Sequence, residues 1–258
     1  MALTTGICKL CLQQKPLLNR SHIIPEFMYE EANLYDEHHQ FRKLKLEEIF
    51  DAKAKIQRVS KGIYEAGILC QTCDGLVIKK YEDYGKYVLF SEEHEAVNGM
   101  KYQNVINPTD GFKSMVCSNI DYRKFKLFLL SMLWRASISS RIEFENVSLG
   151  TTHNEILRNM IFNGEPKKEN DYPIIVSSWL RENPTMTDIF ISPRRLKKGS
   201  NTYYQFCIGG FVFIYSISKE LSNEEIFKCS IKPDSTMTIP FFSKGTEEKF
   251  LINFLFHS

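Results

Sequence analysis

Two pairs of cysteines, each with the spacing Cys-x-x-Cys, restrict the fold of this chain more than any other feature. Cys8 and Cys11 form the first pair, and Cys70 and Cys73 form the second. Four thiolates complete the tetrahedral coordination that Zn²⁺ takes in closed, structural sites. The entropic cost of closing the segment 12–69 between the pairs grows only with the logarithm of its length, so this distance does not exclude a shared site. The spacing therefore predicts one structural zinc ion held by all four cysteines.

The composition is that of a globular protein, with 43% hydrophobic and 25% charged residues. The net charge of +2 indicates neither a nucleic acid nor a membrane as partner. No apolar run reaches the roughly 18 residues that a membrane-spanning helix needs, and the N-terminus lacks the pattern of a signal peptide. The seven cysteines do not suggest a disulfide framework, which favours a reducing compartment. We therefore expect a cytoplasmic protein with no membrane partner.

A turn signal at residues 107–111, Asn-Pro-Thr-Asp-Gly, divides the chain into two predicted domains, 1–106 and 107–258. In the first domain, apolar and aromatic residues recur at three- and four-residue intervals after Cys70, which predicts a helix there. The second cysteine pair would lie at the start of this helix, where unpaired backbone N–H groups stabilise thiolate charge. The first pair would lie in a turn between short strands.

The second predicted domain begins with helices and continues with strands. Asp121 is placed to cap a long apolar helix over 122–139, and residues 152–155, Thr-His-Asn-Glu, have the pattern of a capping box. β-Branched and aromatic runs follow, which predict an antiparallel sheet. These runs begin at Ile174, Asp188, Tyr203 and Phe211. The fold class predicted for the chain is α+β.

The segment Ser21-His22-Ile23-Ile24-Pro25 lies between the two cysteine pairs and contains a histidine. A cysteine pair, then this segment, then the run 68–74, Ile-Leu-Cys-Gln-Thr-Cys-Asp, resembles the HNH endonucleases. That family has a treble-clef zinc-binding fold with a ββα-metal active site. The resemblance is confined to about residues 1–90. It implies a four-cysteine zinc treble clef in the N-terminal domain, followed by a helix-plus-antiparallel-sheet domain without an assigned role.

The resemblance implies that His22 is the general base that activates water for attack on a DNA phosphodiester. A divalent ion, Mg²⁺ or Mn²⁺, would polarise the scissile phosphate. The family usually has an acidic residue or a histidine directly before the base, and Ser21 stands there in this chain. The carboxylates that follow the second pair, Asp74 and Glu82, have the oxygen ligands that Mg²⁺ prefers. In a regular α-helix they point about 80° apart, so a third group would have to bring them together.

Other functions remain open from the sequence. The chain could be a catalytically inactive zinc module that binds nucleic acid, a protein partner or a second copy of itself, as a scaffold or regulatory subunit. It could also be an effector whose chemistry lies in the second domain. The resemblance to HNH endonucleases further implies a role in phage defence or in a mobile element.

Several further residues could each have one of two roles. His22 could fix its strand through a hydrogen bond instead of acting as a base. The cluster of Asp36, Glu37, His38 and His39 could bind a metal or be solvated. Arg20 and Lys15 could contact phosphate. Arg135 and Arg158, on apolar helices, could each pair with a carboxylate or with a ligand.

Overall fold

The chain forms a mixed fold of helices and sheets. The computed structural model describes residues 4–44, 57–60, 62–90, 100–108, 111, 113–179, 189–217 and 229–241. Helices α1 to α4 span Phe27–Glu30, Lys79–Phe90, Tyr122–Ile138 and Gly150–Asn163, with a π-helical segment at Cys73–Ile78 and a 3₁₀ turn at Ile142–Phe144. Strands β1 to β13 span Thr5–Ile7, Gln14–Pro16, Ser21–His22, Gln40–Leu44, Gln57–Ser60, Tyr64–Glu65, Lys101–Ile106, Lys113–Ser118, Ile174–Ser178, Ile189–Lys198, Asn201–Ile208, Phe211–Ser216 and Met237–Pro240.

The largest sheet has six strands in the order β5-β4-β10-β11-β12-β9. Its strands pair antiparallel except β10 and β4, which pair parallel. The predicted antiparallel strands are thus confirmed, and β4 and β5 from the N-terminal part of the chain join them. Strands from both sides of residue 107 therefore share a sheet, and the division into two domains stays a prediction. The smaller sheets are β13-β8-β7, β1-β2 and β3-β6.

Helix α3 lies at the centre of the main hydrophobic core. Its cap is the predicted one, because the Asp121 side chain accepts a hydrogen bond from Lys124 N at 2.9 Å. Every residue from 125 to 136 is buried, which agrees with the apolar character of the sequence on nearly every side of this helix. None of the helices in the described ranges combines the length and the apolar character that a membrane span requires.

The predicted capping box at the start of α4 is wrong. The helix begins at Gly150, after Leu149, whose side chain makes no capping hydrogen bond. Glu155, the acidic member of the predicted box, instead accepts hydrogen bonds from Arg158 and Asn159 in the next turn. A local side-chain pairing has therefore replaced the contact with the helix start.

Helices α2 and α3 pack tightly at Gly85. A Cβ atom at this position would lie 2.5–2.7 Å from three ring atoms of Phe128, which is fully buried. We therefore expect Gly85→Ala to destabilise the protein by about 1–3 kcal/mol through overpacking. This loss should outweigh the roughly 1 kcal/mol by which alanine is the better helix former. Urea unfolding of the two chains measures the difference.

Gly75→Ala is the matched control for this prediction. A Cβ atom at Gly75 would crowd only the end of the Gln71 side chain, which can move away. This variant should be as stable as the parent chain or slightly more stable. Equal stability of the Gly85 and Gly75 variants would show that the helices do not need a glycine at their crossing.

Candidate metal centre and histidine site

The first cysteine pair lies in the turn between β1 and β2, as predicted. Cys8 N donates to Gln13 O, and Leu12 N donates to Cys8 O, both at 2.9 Å. Leu12 has a left-handed backbone conformation with a φ of 60°, which lets the turn close. The second pair lies where the helix that continues into α2 begins, also as predicted.

Backbone hydrogen bonds bring the two distant pairs together. Lys9 N donates to Ile68 O, and Leu18 N donates to Leu69 O, each at 2.9 Å. These bonds place the residues just before Cys70 beside the first turn. The long intervening segment therefore leaves and returns without separating the two pairs.

The four cysteine sulfurs all lie within 4.8 Å of one another. Zn–S bonds of about 2.3 Å in a tetrahedron place the sulfurs about 3.8 Å apart, so the four thiols are close enough to share one metal ion. Cys8, Cys70 and Cys73 are buried, and Cys11 is half-buried. Among the residues that the structure describes, no other group of three or more histidine, cysteine or acidic side chains is this compact. The cluster could hold a metal such as zinc.

The electrostatic surroundings of the four cysteine thiols favour the binding of a divalent cation. Burial raises the pKa of Cys8, but hydrogen bonds from the N–H groups of Cys11, Cys70 and Leu10 outweigh it and lower the pKa to about 7. Burial and then the negative charge of Cys8 raise the pKa of Cys73 far above its usual range. Four thiolates so close together repel one another unless a cation neutralises them, which is the role of a metal in such a site.

His22 lies on β3, which pairs with β6 so that His22 is opposite Tyr64. Its Nε2 lies 2.7 Å from Oε2 of Glu26, and the two side chains are 32% and 36% exposed. Tyr35 OH donates to the other oxygen of Glu26 at 2.8 Å. The hydrogen bond from His22 lowers the pKa of Glu26 more than burial raises it, and Tyr35 lowers it further. The site therefore contains an ionised carboxylate that holds a partly exposed imidazole.

Sequence reasoning missed Glu26. The available signal was the spacing of four residues from His22 to Glu26 across Pro25, which starts the turn into α1. A separation of four residues brings side chains together only where the backbone turns. Because a strand was expected around His22, and side chains four apart on a strand do not meet, this pair was not predicted.

Asp74 lies close to His22 and Ser21. Burial raises the pKa of the Asp74 carboxyl, while the charge of Arg135, the nearby His22 ring and the hydroxyl of Ser21 lower it. Ser21 is fully buried, and its Oγ makes no hydrogen bond of normal geometry with the described part of the chain. Asp74 and Ser21 thus form a polar pair of side chains between the histidine and the second cysteine pair.

The π-helical segment Cys73–Ile78 changes the relation between Asp74 and Glu82. A π-turn contains about one residue more than an α-turn. Asp74 and Glu82 are therefore oriented like residues seven apart in a regular α-helix, which differ by roughly 20° around the helix axis instead of 80°. The negative charge of Glu82 accordingly raises the pKa of Asp74. In this helix geometry the two carboxylates would point to nearly the same side of the axis without a third group.

Arg135, on α3, forms an ion pair with Glu82 and lowers the pKa of Asp74 through its charge. Its side chain is 1% exposed, and Nη2 lies 2.7 Å from Oε1 of Glu82. Nη1 donates to the backbone oxygen of His22 at 2.6 Å, and Nε donates to Ser131 O at 3.2 Å. One arginine from α3 therefore ties the strand of the histidine to the helix of the second cysteine pair.

The remaining candidates have simpler surroundings. Arg158 pairs with Glu155 and donates to Leu10 O at 2.7 Å, which anchors α4 to the turn of the first cysteine pair. His38 is 68% exposed and does not join a compact metal-ligating group among the described residues. Both arginines on apolar helices, Arg135 and Arg158, thus pair with carboxylates.

Comparison with protein-family models, with curated proteins and with solved structures found no match for this chain. The resemblance to HNH endonucleases therefore rests on the motifs of the sequence alone.

Proposed function

We propose that this protein is a metal-dependent DNA endonuclease of the HNH type, with a structural zinc ion in a treble clef and His22 as the general base. The observation that carries the proposal is the pair of His22 and Glu26. It presents a partly exposed imidazole that a carboxylate holds. The imidazole is near enough to Asp74, the residue after Cys73, to affect the pKa of that carboxyl. General bases in enzymes are commonly histidines that a second group orients.

The order of elements around the cysteines supports the treble-clef assignment. A hairpin carries the first pair, a short strand carries the histidine, and a helix begins at the second pair. This is the order that the motif resemblance implies. Each element is tied to the next through the backbone or through Arg135.

The position of Glu26 favours one tautomer of the neutral His22 ring. Because Nε2 faces the Glu26 carboxylate, Nε2 carries the ring proton and Nδ1 is left to accept one. In the proposed step, Nδ1 takes a proton from water as the water oxygen attacks phosphorus, the bond from phosphorus to the leaving oxygen breaks, and the leaving oxygen takes a proton from solvent water. Glu26 keeps the ring oriented and stabilises the imidazolium that forms.

Asp74 and Ser21 are the residues that would hold a divalent ion beside His22. Asp74 forms no direct ion pair in the described part of the chain, and the buried Ser21 hydroxyl makes no hydrogen bond of normal geometry there. A single carboxylate suits Mg²⁺ or Mn²⁺, since Mg²⁺ keeps several waters and takes other ligands from substrate phosphates. When bound, such an ion stabilises charge on the scissile phosphate. Glu82, already paired with Arg135, would act on Asp74 through its charge.

Cleavage of plasmid DNA in Mg²⁺ or Mn²⁺ tests this proposal. We expect the wild-type chain to nick DNA and His22→Ala to be slower by about 10²- to 10⁴-fold, the usual contribution of a general base. His38→Ala is the matched control, because His38 is exposed and should leave the rate unchanged. Equal zinc content and equal thermal unfolding of the three chains would show that the fold is intact.

Absence of cleavage by the wild-type chain, on duplex and single-stranded DNA with either metal, would contradict the nuclease. It would favour the second candidate, a zinc module that holds nucleic acid or a protein partner without cutting. One observation supports that alternative: buried Arg135 already neutralises Glu82, one of the two carboxylates predicted to bind the catalytic ion.

A further inference from the structure

Arg20 lies directly before β3 and is exposed. Its guanidinium carbon is 4.9 Å from the centre of the Tyr64 ring, which places the planar group over the aromatic face. The same ring packs edge-on against His22, with 6.1 Å between the ring centres. Arg20 and His22 therefore contact one tyrosine at the two-stranded β3-β6 sheet.

The Arg20 guanidinium is exposed, so it can reach an anion in solvent. Within the described ranges, no carboxylate forms an ion pair with Arg20, although most charged side chains around His22 are paired. Stacking on Tyr64 limits the orientations of the guanidinium, so less freedom is lost when it binds a ligand. An exposed, oriented arginine fork matches the geometry of a phosphate group.

Negative charges around His22 would oppose the binding of DNA unless a positively charged side chain offset them. The acidic side chains of Glu26 and Asp74 both interact electrostatically with His22, and both would repel a polyanion. Arg135 is buried and occupied, so it cannot meet a ligand at the surface. Arg20 provides positive charge at the exposed edge of the same site.

We propose that Arg20, held by Tyr64, is a subsite for the sugar–phosphate backbone of DNA and binds a phosphate adjacent to the one at His22. This inference rests on the proposed nuclease function, since it assigns the DNA path across the same site. Such contacts position the strand without reading its sequence.

Binding of fluorescein-labelled duplex DNA to the His22→Ala chain, with Mg²⁺ and Mn²⁺ left out so that the DNA stays intact, tests the subsite. Removing one phosphate contact should reduce the magnitude of the slope of log K against log salt by about 0.9. We expect Arg20→Ala in this background to show that change and to weaken binding equally for unrelated sequences. Arg20→Lys should keep the slope, because it keeps the charge, but bind less tightly because the fork is lost.

Arg58→Ala is the control, since Arg58 is an exposed arginine that already pairs with Asp36 at 3.5 Å. An unchanged slope for Arg20→Ala, or the same change for Arg58→Ala, would overturn the subsite. A loss confined to single-stranded RNA of the same sequence would overturn the assignment to DNA. Because binding is measured without cleavage, a wild-type chain that never cuts would contradict the nuclease and leave the result for Arg20 standing.

Discussion

Cys73→Ala is expected to abolish stable zinc binding and to unfold the part of the protein around the two cysteine pairs. Loss of residues that merely support metal ligands weakens binding by about 10- to 100-fold, so loss of a ligand should exceed about 100-fold. Structural zinc sites contribute about 10–16 kcal/mol of apparent binding energy, which is comparable to the whole stability of a typical domain. Zinc content after dialysis and the amide NMR spectrum measure the two effects.

Cys207→Ala provides the matched control. Cys207 is also buried, and burial raises the pKa of its thiol to about 12, as expected for an inert thiol in an apolar sheet. The same atom is removed in both variants, but only Cys73 belongs to the four-sulfur cluster. Wild-type zinc content in Cys73→Ala, or an equal loss in Cys207→Ala, would contradict the shared site.

Arg135→Met is expected to cost up to about 3–5 kcal/mol of stability, because it leaves the half-buried Glu82 carboxylate without its buried partner. For a protein of this size, that loss corresponds to a fall of roughly 6–20 °C in the unfolding midpoint. Glu82 is the residue left uncompensated, and the backbone oxygen of His22 loses its donor as well. Differential scanning calorimetry on zinc-loaded protein measures the change.

A second substitution separates charge from packing in this variant. Arg135→Met with Glu82→Met removes both charges and should recover part of the loss. Arg58→Met, at an exposed pair, should leave the midpoint unchanged. A single variant at Arg135 as stable as the parent would show that this arginine does not hold the histidine strand to the helix.

Features marked by local propensity or by the spacing of one residue type were predictable from the sequence. The cysteine spacing indicated the cluster, Asp121 indicated the start of α3, and the apolar runs after 174 indicated the strands of the sheet. Each of these signals arises from local propensity or from a spacing that one residue type fixes.

Contacts between distant segments that no such spacing marks were not predictable. Arg135 meets Glu82 and the backbone of His22 across long stretches of chain, and no single sequence specifies which carboxylate a buried arginine will face. The parallel pairing of β4 with β10 is likewise a contact between distant segments. The π-helical segment was missed because regular helix geometry was assumed, and that geometry set the expected angle between Asp74 and Glu82.

X-ray absorption at the zinc K-edge of the purified protein tests most directly whether the two distant cysteine pairs share one metal. We predict one zinc ion per chain with four sulfur ligands at about 2.3 Å. A metal-free protein from zinc-replete cells, or a zinc ion with two or fewer sulfur ligands, would contradict the shared site and with it the placement of His22 beside a metal-organised fold.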